Sequence, residues 1–279
     1  MTLATSRRTF VGLLAASHFP PTLAVTAITS LLAYEVGRGW GTVFVALAVL
    51  SGQLSVGWSN DWFDAARDRR AERVEKPIVS EIVQRQTVAR CAILALVLCV
   101  PLSLCSGWRA ALVHFIAIGS AWAYNRIGKT QWWSPLPYAI SFGLLPVFVT
   151  LGLHGHPWPR SQAVIAAALL GLGAHFINTI PDYEADLRNQ VRGFPQRVGK
   201  DASLFLGVVM LAGATLSIVF MIPTVGVLVV TLASLSFLAD CLVVFETRRG
   251  EPRRAWYLVL VSAFISVCLF ASAGSALIR

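Results

Sequence analysis

Long apolar segments recur along the whole chain and restrict what it can fold into. A helix needs about 20 mostly apolar residues to cross the hydrocarbon core of a bilayer. We predict nine membrane-spanning helices, at residues 19–35, 41–59, 90–106, 109–124, 135–153, 162–180, 203–221, 224–244 and 255–277. The sequence therefore predicts an all-α polytopic membrane protein, with one domain over residues 1–279.

The lysines and arginines fall mostly on one side of the predicted bundle. If the N-terminus is cytoplasmic, that side holds nineteen of the 23 basic residues, and the other side holds only Arg38, Arg109, Arg160 and Arg279. Because cytoplasmic loops retain Lys and Arg, we predict a cytoplasmic N-terminus and an outer C-terminus, in a bacterial plasma membrane. The net charge of +9 then reflects topology. Membrane lipid and phosphorylated substrates are the expected partners of this face, and nucleic acid is not.

The densest group of charges follows the second apolar segment. The stretch NDWFDAARDRR begins at Asn60. A helix turns by about 100° per residue, which places Asp61, Asp64 and Asp68 within about 60° of one another. Three carboxylates on one helix face repel one another, so a cation should compensate them. Two alternatives follow. The aspartates either lie at a solvated helix end, where they pair with nearby arginines, or they form a metal site.

A second stretch, FINTIPDYEADLRNQVRGFPQRVG at 176–199, repeats the pattern and favours the metal site. Shifted back by 118 positions (178 − 60), it superposes three pairs of residues, namely Asn178 on Asn60, Asp182 on Asp64 and Asp186 on Asp68. The stretches follow the second and sixth spans, so both reach the cytoplasmic face. Duplication of a four-helix unit explains the repeat. The predicted fold is therefore two four-helix pseudo-repeats plus a ninth helix.

Acidic helix ends at one face suit divalent cations. Mg²⁺ prefers oxygen ligands and is usually bound by one or two carboxylates together with substrate phosphates. The predicted ligands are Asp61, Asp64, Asp68, Asp182 and Asp186. Neighbouring Arg and Lys residues would neutralise the remaining charge of a bound diphosphate. The five histidines show no metal-ligand spacing, and we assign no chemistry to HFPPT at 18–22.

The two acidic motifs also carry a family resemblance. NDWFDAARDR, from Asn60 to Arg69, resembles the NDxxDxxxD signature of UbiA-type intramembrane prenyltransferases. DYEAD, followed by RGFPQRVG from Arg192, resembles their second DxxxD motif, and YNRIGK at 124–129 resembles their Tyr-to-Lys segment. The resemblance implies a helical bundle around a central cavity. It also implies Mg²⁺-dependent transfer of an isoprenyl group from an isoprenyl diphosphate to an aromatic or quinone-precursor acceptor.

The resemblance also implies roles for individual residues. The five aspartates would bind the metal ions, with Asn60 and Asn178 assisting. The residues that would contact the diphosphate are Arg69, Lys76, Lys129 and Arg197. Lys76 stands where the family usually has Arg, which replaces a bidentate phosphate contact by a point charge. This departure still allows the isoprenyl diphosphate to ionise.

Two other functions fit the same motifs. A membrane terpene cyclase would ionise the same diphosphate and quench the carbocation internally, without an acceptor. A cation transporter would place its acids near the bilayer midplane between broken helices, whereas these acids follow apolar segments and adjoin basic loops. We therefore rank the prenyltransferase first and the cyclase second. The sequence leaves the acceptor, the prenyl chain length and the oligomeric state open.

Overall fold

The fold is built from α-helices throughout the described chain. A computed structural model describes residues 3–273, in which twelve α-helices and one 3₁₀ turn occur and no strand. The helices are α1 Leu3–Ala16, α2 Phe19–Glu35, α3 Gly41–Arg70, α4 Arg85–Leu104, α5 Trp108–Arg126, α6 Pro135–Leu151, α7 Ser161–Asn178, α8 Tyr183–Arg188, α9 Phe194–Val198, α10 Lys200–Val219, α11 Val227–Arg248 and α12 Pro252–Ala273. The 3₁₀ turn is Gly128–Thr130. The predicted all-α class is therefore confirmed.

Each of the nine predicted spans corresponds to one long helix, in chain order α2 to α7 and α10 to α12. Of the described helices, six are long and apolar enough by themselves to cross a membrane, or seven if α1 and α2 form one bent span. The count of nine spans is therefore not confirmed. Residues 274–277 of the ninth predicted span lie outside the described residues, as does the C-terminus.

The helices form two four-helix units closed by a last helix. The first unit is α2 to α5, and the second is α6, α7, α10 and α11. Helices α5 and α6 pack together and join the two units, while α12 packs against α11, α10, α7 and α2. One apolar core lies between α2, α3 and α6, and a second between α7, α10, α11 and α12. This arrangement leaves space between the units for a cavity.

Glycines allow the helices to approach closely where the backbones cross. A Cβ atom at Gly173 would contact Leu211 and the carbonyl of Gly207, and one at Gly207 would overlap Ile177. Small residues at such crossings let membrane helices pack without a hydrophobic driving force. The α7–α10 contact, which supports the second acidic motif, therefore depends on these two glycines.

Arg38 joins two helices at the end of the bundle opposite the acidic motifs. Its Nη2 atom donates to Ser106 Oγ at 2.8 Å, just beyond the end of α4. A Cβ at Gly152, just beyond the end of α6, would overlap the Arg38 guanidinium. A cation is favoured beside helix C-termini. Arg38 therefore has a structural position on the side where basic residues are rare.

Candidate active site

Both acidic motifs face one cavity between the two four-helix units. The cavity has a volume of about 750 Å³. Polar side chains from each motif line it: Asn60 and Asp64 from the first, and Asn178, Asp182 and Asp186 from the second. Four basic side chains also line it: Arg67, Arg73, Lys76 and Lys129. The structure thus brings residues of both motifs to one cavity, whereas Asp61 and Asp68 of the first motif do not line it.

The first motif lies on the last three turns of α3, which continues unbroken to Arg70. Asp61, Asp64 and Asp68 are all buried, at 2%, 7% and 3% exposure. Burying a charged carboxylate is unfavourable unless it is paired and hydrogen-bonded. Each of the three has a basic neighbour, which explains how three acids share one helix face.

Asp64 is held by two cations. Arg67 Nη2 lies 2.6 Å from Asp64 Oδ2, one turn along the same helix, and Lys129 Nζ makes a short contact with the same oxygen. Lys129 lies in the 3₁₀ turn after α5. Burial lowers the pKa of Lys129, and the carboxylate of Asp64 opposes this shift. Lys129, which lies in the loop after α5, thus contacts Asp64 of the first motif.

Asp61 is contacted by Lys76 and by His18. Lys76 Nζ donates to Asp61 Oδ1 at 2.7 Å, and His18 Nε2 lies 3.0 Å from the same oxygen. Asp61 Oδ2 is buried and has no hydrogen-bond partner among the described residues. An unpaired buried carboxylate oxygen is costly. It is therefore a candidate metal ligand.

His18 is a cavity residue that the sequence analysis missed. Helices α1 and α2 meet at 64°, and His18 at the break has a left-handed backbone with φ of 52°. For a residue other than glycine this conformation costs about 1 kcal/mol or more. The break rests on α3 at Gly57, where a Cβ would overlap the backbone of Ser17. Since Gly57 lies one turn before Asp61, this contact brings His18 to the first motif.

The HFPPT stretch carried a signal for this break. An apolar helical run precedes His18, and the prolines at 20 and 21 follow it at the start of α2. Proline is favoured in the first turn of a helix and disfavoured in its interior. The pattern therefore indicates that one helix ends and another begins at His18, although it does not indicate the contact with Asp61.

The second motif lies on a break between helices. Helix α7 ends at Asn178, earlier than the predicted end of the sixth span, and α8 begins at Tyr183. Pro181 explains the break, because a residue before proline is disfavoured in the α conformation and proline donates no backbone hydrogen bond. Asp182 precedes α8, and the amide of Asp186 donates to its carbonyl at 2.8 Å. The two carboxylates are therefore one turn apart.

Asp186 is the more buried carboxylate of the second motif. Gln196 Nε2 donates to Asp186 Oδ2 at 2.9 Å. Burial raises the pKa of Asp186 to about 6, and the negative charge of Asp182 adds to this shift. A cation placed between these two acids would relieve their repulsion. The second motif is thus prepared for a positively charged ligand.

Arg73 joins the two motifs. Its Nη2 atom lies 3.2 Å from Asp182 Oδ2, and its Nη1 atom lies 3.7 Å from Asp68 Oδ1. A third contact runs from Nε to Glu75 at 2.9 Å. Burial disfavours the charge of Arg73, but its acidic neighbours outweigh this effect and raise its pKa. The sequence analysis did not assign Arg73 to the diphosphate.

The sequence analysis assigned Arg69 and Arg197 to the diphosphate, but neither residue lines the cavity. Both side chains are exposed, and Arg197 Nε donates to the carbonyl of Arg192 at 2.9 Å. Arg69 follows Asp64 by five residues, which turns it about 140° away around α3. Arg67, three residues after Asp64, stays on the cavity side. Arg67 and Arg73 thus line the cavity, whereas Arg69 and Arg197 do not.

An aromatic wall adjoins the acidic end of the cavity. Tyr138 contacts the rings of Tyr124, at 5.0 Å between centroids, and of His175, at 4.7 Å. Phe142 stacks against Tyr138 at 6.2 Å. Lys129 Nζ lies 5.8 Å from the Tyr124 ring centre. This wall offers flat apolar surface directly beside the charged groups.

The donor set fits magnesium bound together with a substrate. Within residues 3–273, no three acidic, histidine or cysteine side chains converge to hold a metal ion without further ligands. Mg²⁺ usually takes only one or two carboxylates and completes its shell with water and phosphate oxygens. Asp61 Oδ2, buried without a partner, is an oxygen of the required kind. The residues present therefore fit the ion if the diphosphate supplies the remaining ligands.

Proteins of known sequence match most of the chain. The chain is 29% identical over 222 residues to the bacteriochlorophyll synthase 33 kDa chain of Cereibacter sphaeroides. This match covers 75% of this chain and 72% of that protein. The corresponding protein of Rhodobacter capsulatus is 28% identical over 218 residues, covering 66% of this chain and 64% of that protein.

Solved structures match the fold. The apo structure of a UbiA homologue from Aeropyrum pernix K1 has a TM-score of 0.71 at 18% identity, covering 89% of this chain and 95% of that one. A UbiA homologue from Archaeoglobus fulgidus bound to GPP and Mg²⁺ has a TM-score of 0.67 at 18% identity, covering 96% and 99%. A profile of the UbiA prenyltransferase family matches residues 9–268. The chain is therefore a prenyltransferase that belongs to the UbiA family.

Proposed function

We propose that this prenyltransferase binds an isoprenyl diphosphate with Mg²⁺ at its two acidic motifs and transfers the isoprenyl group to an aromatic acceptor within the membrane. The observation that carries the proposal is the shared cavity: Asp64 of the first motif and Asp182 and Asp186 of the second line it together with four basic side chains. Carboxylates and cations alternate around one space, as a metal–diphosphate pair requires.

The proposed metal ligands are the five motif aspartates, assisted by Asn60 and Asn178. A bound Mg²⁺ ion would neutralise the negative charge that develops on the departing diphosphate. The side chains proposed to contact the diphosphate are Arg67, Arg73, Lys76 and Lys129. Guanidinium groups grip phosphate oxygens in a bidentate manner, and ammonium groups act as point charges. All four also pair with motif aspartates, so they are held in place before substrate arrives.

The proposed reaction breaks the allylic C–O bond, and its electron pair leaves with the diphosphate. The allylic carbon then forms a bond to a nucleophilic atom of the acceptor, which loses a proton. Lys129 lies beside Asp64 with only 11% of its side chain exposed, where a fixed positive charge stabilises a developing anion strongly because little water screens it. Tyr124, within 5.8 Å of Lys129, presents a π face to the same region. Such a face attracts a carbocation.

The acceptor is proposed to be a flat, lipophilic aromatic molecule. The rings of Tyr124, Tyr138 and Phe142 line the cavity beside the charged groups, and flat rings stack favourably on one another. A quinone precursor has this shape. Two relatives are named as bacteriochlorophyll synthases, which makes a bacteriochlorophyll precursor the second candidate.

Product identification tests the proposal. Purified protein is incubated with Mg²⁺ and isoprenyl diphosphates of several chain lengths, with an aromatic quinone precursor or a bacteriochlorophyll precursor, and products are identified by mass spectrometry. We expect an adduct of isoprenyl group and acceptor with one acceptor class, and none with Asp64→Asn. A cyclic hydrocarbon formed without acceptor, or an equal yield of adduct from Asp64→Asn, would contradict the proposal.

A further inference from the structure

A second cavity lies on the surface of the bundle, beside the motif end of α3 and α5. It has a volume of about 630 Å³, and we call it the outer groove. Its lining is Trp62, Phe63, Trp122, Ala123, Arg126 and Ile127. None of these residues lines the active-site cavity. Arg126 and Ile127 are exposed, so the groove opens on the outside of the bundle.

Three aromatic rings form the floor of the outer groove. Trp62 stacks on Phe63 with 4.6 Å between centroids, and Trp122 packs edge-on against both rings, at 6.3 and 5.9 Å. Trp122 Nε1 donates to Ser55 Oγ at 3.0 Å, which fixes this ring between α5 and α3. The floor is therefore an ordered apolar surface.

Two arginines flank this floor. Arg126 lines the groove itself. Arg85 is exposed and lies beside the groove, because its Nε atom donates to the carbonyl of Trp62 at 3.2 Å. No acidic side chain lines the groove in the described part of the chain. Unlike Arg67 and Arg73, neither arginine pairs with a carboxylate among residues 7–272.

We propose that the outer groove binds a phospholipid with an anionic headgroup. Its phosphate would lie between Arg126 and Arg85, which can contact phosphate oxygens in a bidentate manner. Its acyl chain would lie along the three rings, as Trp side chains favour the boundary between headgroups and hydrocarbon. Basic pockets between membrane helices on the cytoplasmic side recognise such headgroups. The charge distribution of the sequence predicts that this end of the bundle is cytoplasmic.

The groove and the active site share a wall. Trp62 and Phe63 lie between Asp61 and Asp64 in the sequence and point to the other side of α3. Asn125, which lies between the groove residues Ala123 and Arg126 of α5, donates to Ser59 Oγ at 2.8 Å and ties α5 to α3. A lipid in the groove would therefore stabilise the packing of α3, which carries Asp64, against α5, which precedes the 3₁₀ turn with Lys129. This consequence for activity rests on the proposed function, whereas lipid binding does not.

Native mass spectrometry of the delipidated full-length protein tests the binding without any turnover. The protein is titrated with phosphatidylglycerol or phosphatidylcholine, as wild type, as the double variant Arg85→Gln/Arg126→Gln, and as the control Arg248→Gln. Arg248 is also an exposed arginine at the motif end of a membrane helix. We expect the wild type and the control to prefer phosphatidylglycerol. The double variant should bind phosphatidylglycerol at least about tenfold more weakly than the wild type, because it lacks the charge-assisted hydrogen bonds of the two arginines.

Two results of the lipid titration itself would overturn the proposal. One is equal retention of the two lipids by the wild type, and the other is unchanged phosphatidylglycerol binding by the double variant with its thermal unfolding preserved. Competition by an isoprenyl diphosphate for the same bound lipid would also overturn it, because the groove would then hold substrate. In proteoliposomes, phosphatidylglycerol should raise the activity of wild type and Arg248→Gln more than that of the double variant.

Discussion

Arg73 Nη2 lies 3.2 Å from Asp182 Oδ2, although 109 residues separate them in the chain. The same guanidinium approaches Asp68 at 3.7 Å. One side chain from the loop after α3 thus connects the acidic motifs of the two four-helix units. The residue that contacts both motifs therefore belongs to neither of them.

Arg73→Ala should lower kcat/KM by about tenfold to a hundredfold, since it removes charge-assisted contacts of about 1.5–3 kcal/mol. Arg69→Ala is the matched control, because Arg69 is exposed and does not line the cavity. Steady-state kinetics of both purified variants make the comparison. Equal effects of the two substitutions would show that Arg73 contributes only general positive charge.

His18→Ala should raise the Mg²⁺ concentration needed for half-maximal activity, because Asp61 would lose the contact that orients its carboxylate. Partners of a ligating side chain commonly change metal affinity by about tenfold to a hundredfold. His18→Asn should recover part of the affinity, since it keeps a donor and tolerates the left-handed backbone. Electron paramagnetic resonance of bound Mn²⁺ provides a readout that is independent of turnover. Unchanged Mn²⁺ affinity in His18→Ala would assign His18 to folding alone.

Lys129→Ala should lower kcat/KM by about two to three orders of magnitude, the range found for loss of one donor to a developing anion. Lys129→Arg should recover part of the activity. Arg253→Ala provides a control at an exposed residue of α12. The same small effect at Lys129 and Arg253 would mean that Lys129 serves only topology.

The sequence predicted the helices well because their signals are local. Length and hydropathy marked nine segments, and each became a long helix. Helix ends were less predictable where a single residue decides them. Pro181 ends α7 at Asn178, whereas the first motif continues on an unbroken α3, so the repeated motifs adopt different local structures.

The candidate site was predictable as far as it lies on regular helices. The face shared by Asp61, Asp64 and Asp68 follows from helical spacing. Arg73 does not, because α3 ends at Arg70 and the chain turns back, with the amide of Arg73 bonded to the carbonyl of Asp68 at 3.0 Å. His18 likewise depends on a helix break and on a tertiary contact that sequence spacing does not encode.

The predicted topology places residues 60–89 and 182–202 in the cytoplasm and residues 154–161 outside. Single cysteines at positions 189 and 155, introduced after replacement of the native cysteines, test this prediction with a membrane-impermeant maleimide on intact cells. We expect labelling at 155 and none at 189, because the basic residues lie mostly on the side of 189. The reverse pattern would invert the bundle.

The central claim is that both acidic motifs bind one metal–diphosphate group. Calorimetric titration with a non-reactive isoprenyl thiodiphosphate tests this claim most directly. Wild type should bind the analogue with Mg²⁺ and lose most of the affinity in excess chelator. Asp64→Asn and Asp182→Asn should each weaken Mg²⁺-dependent binding by at least about tenfold, as loss of a charged contact to a shared ligand implies. Tight binding in chelator, or wild-type affinity in either variant that retains its thermal unfolding profile, would contradict the account.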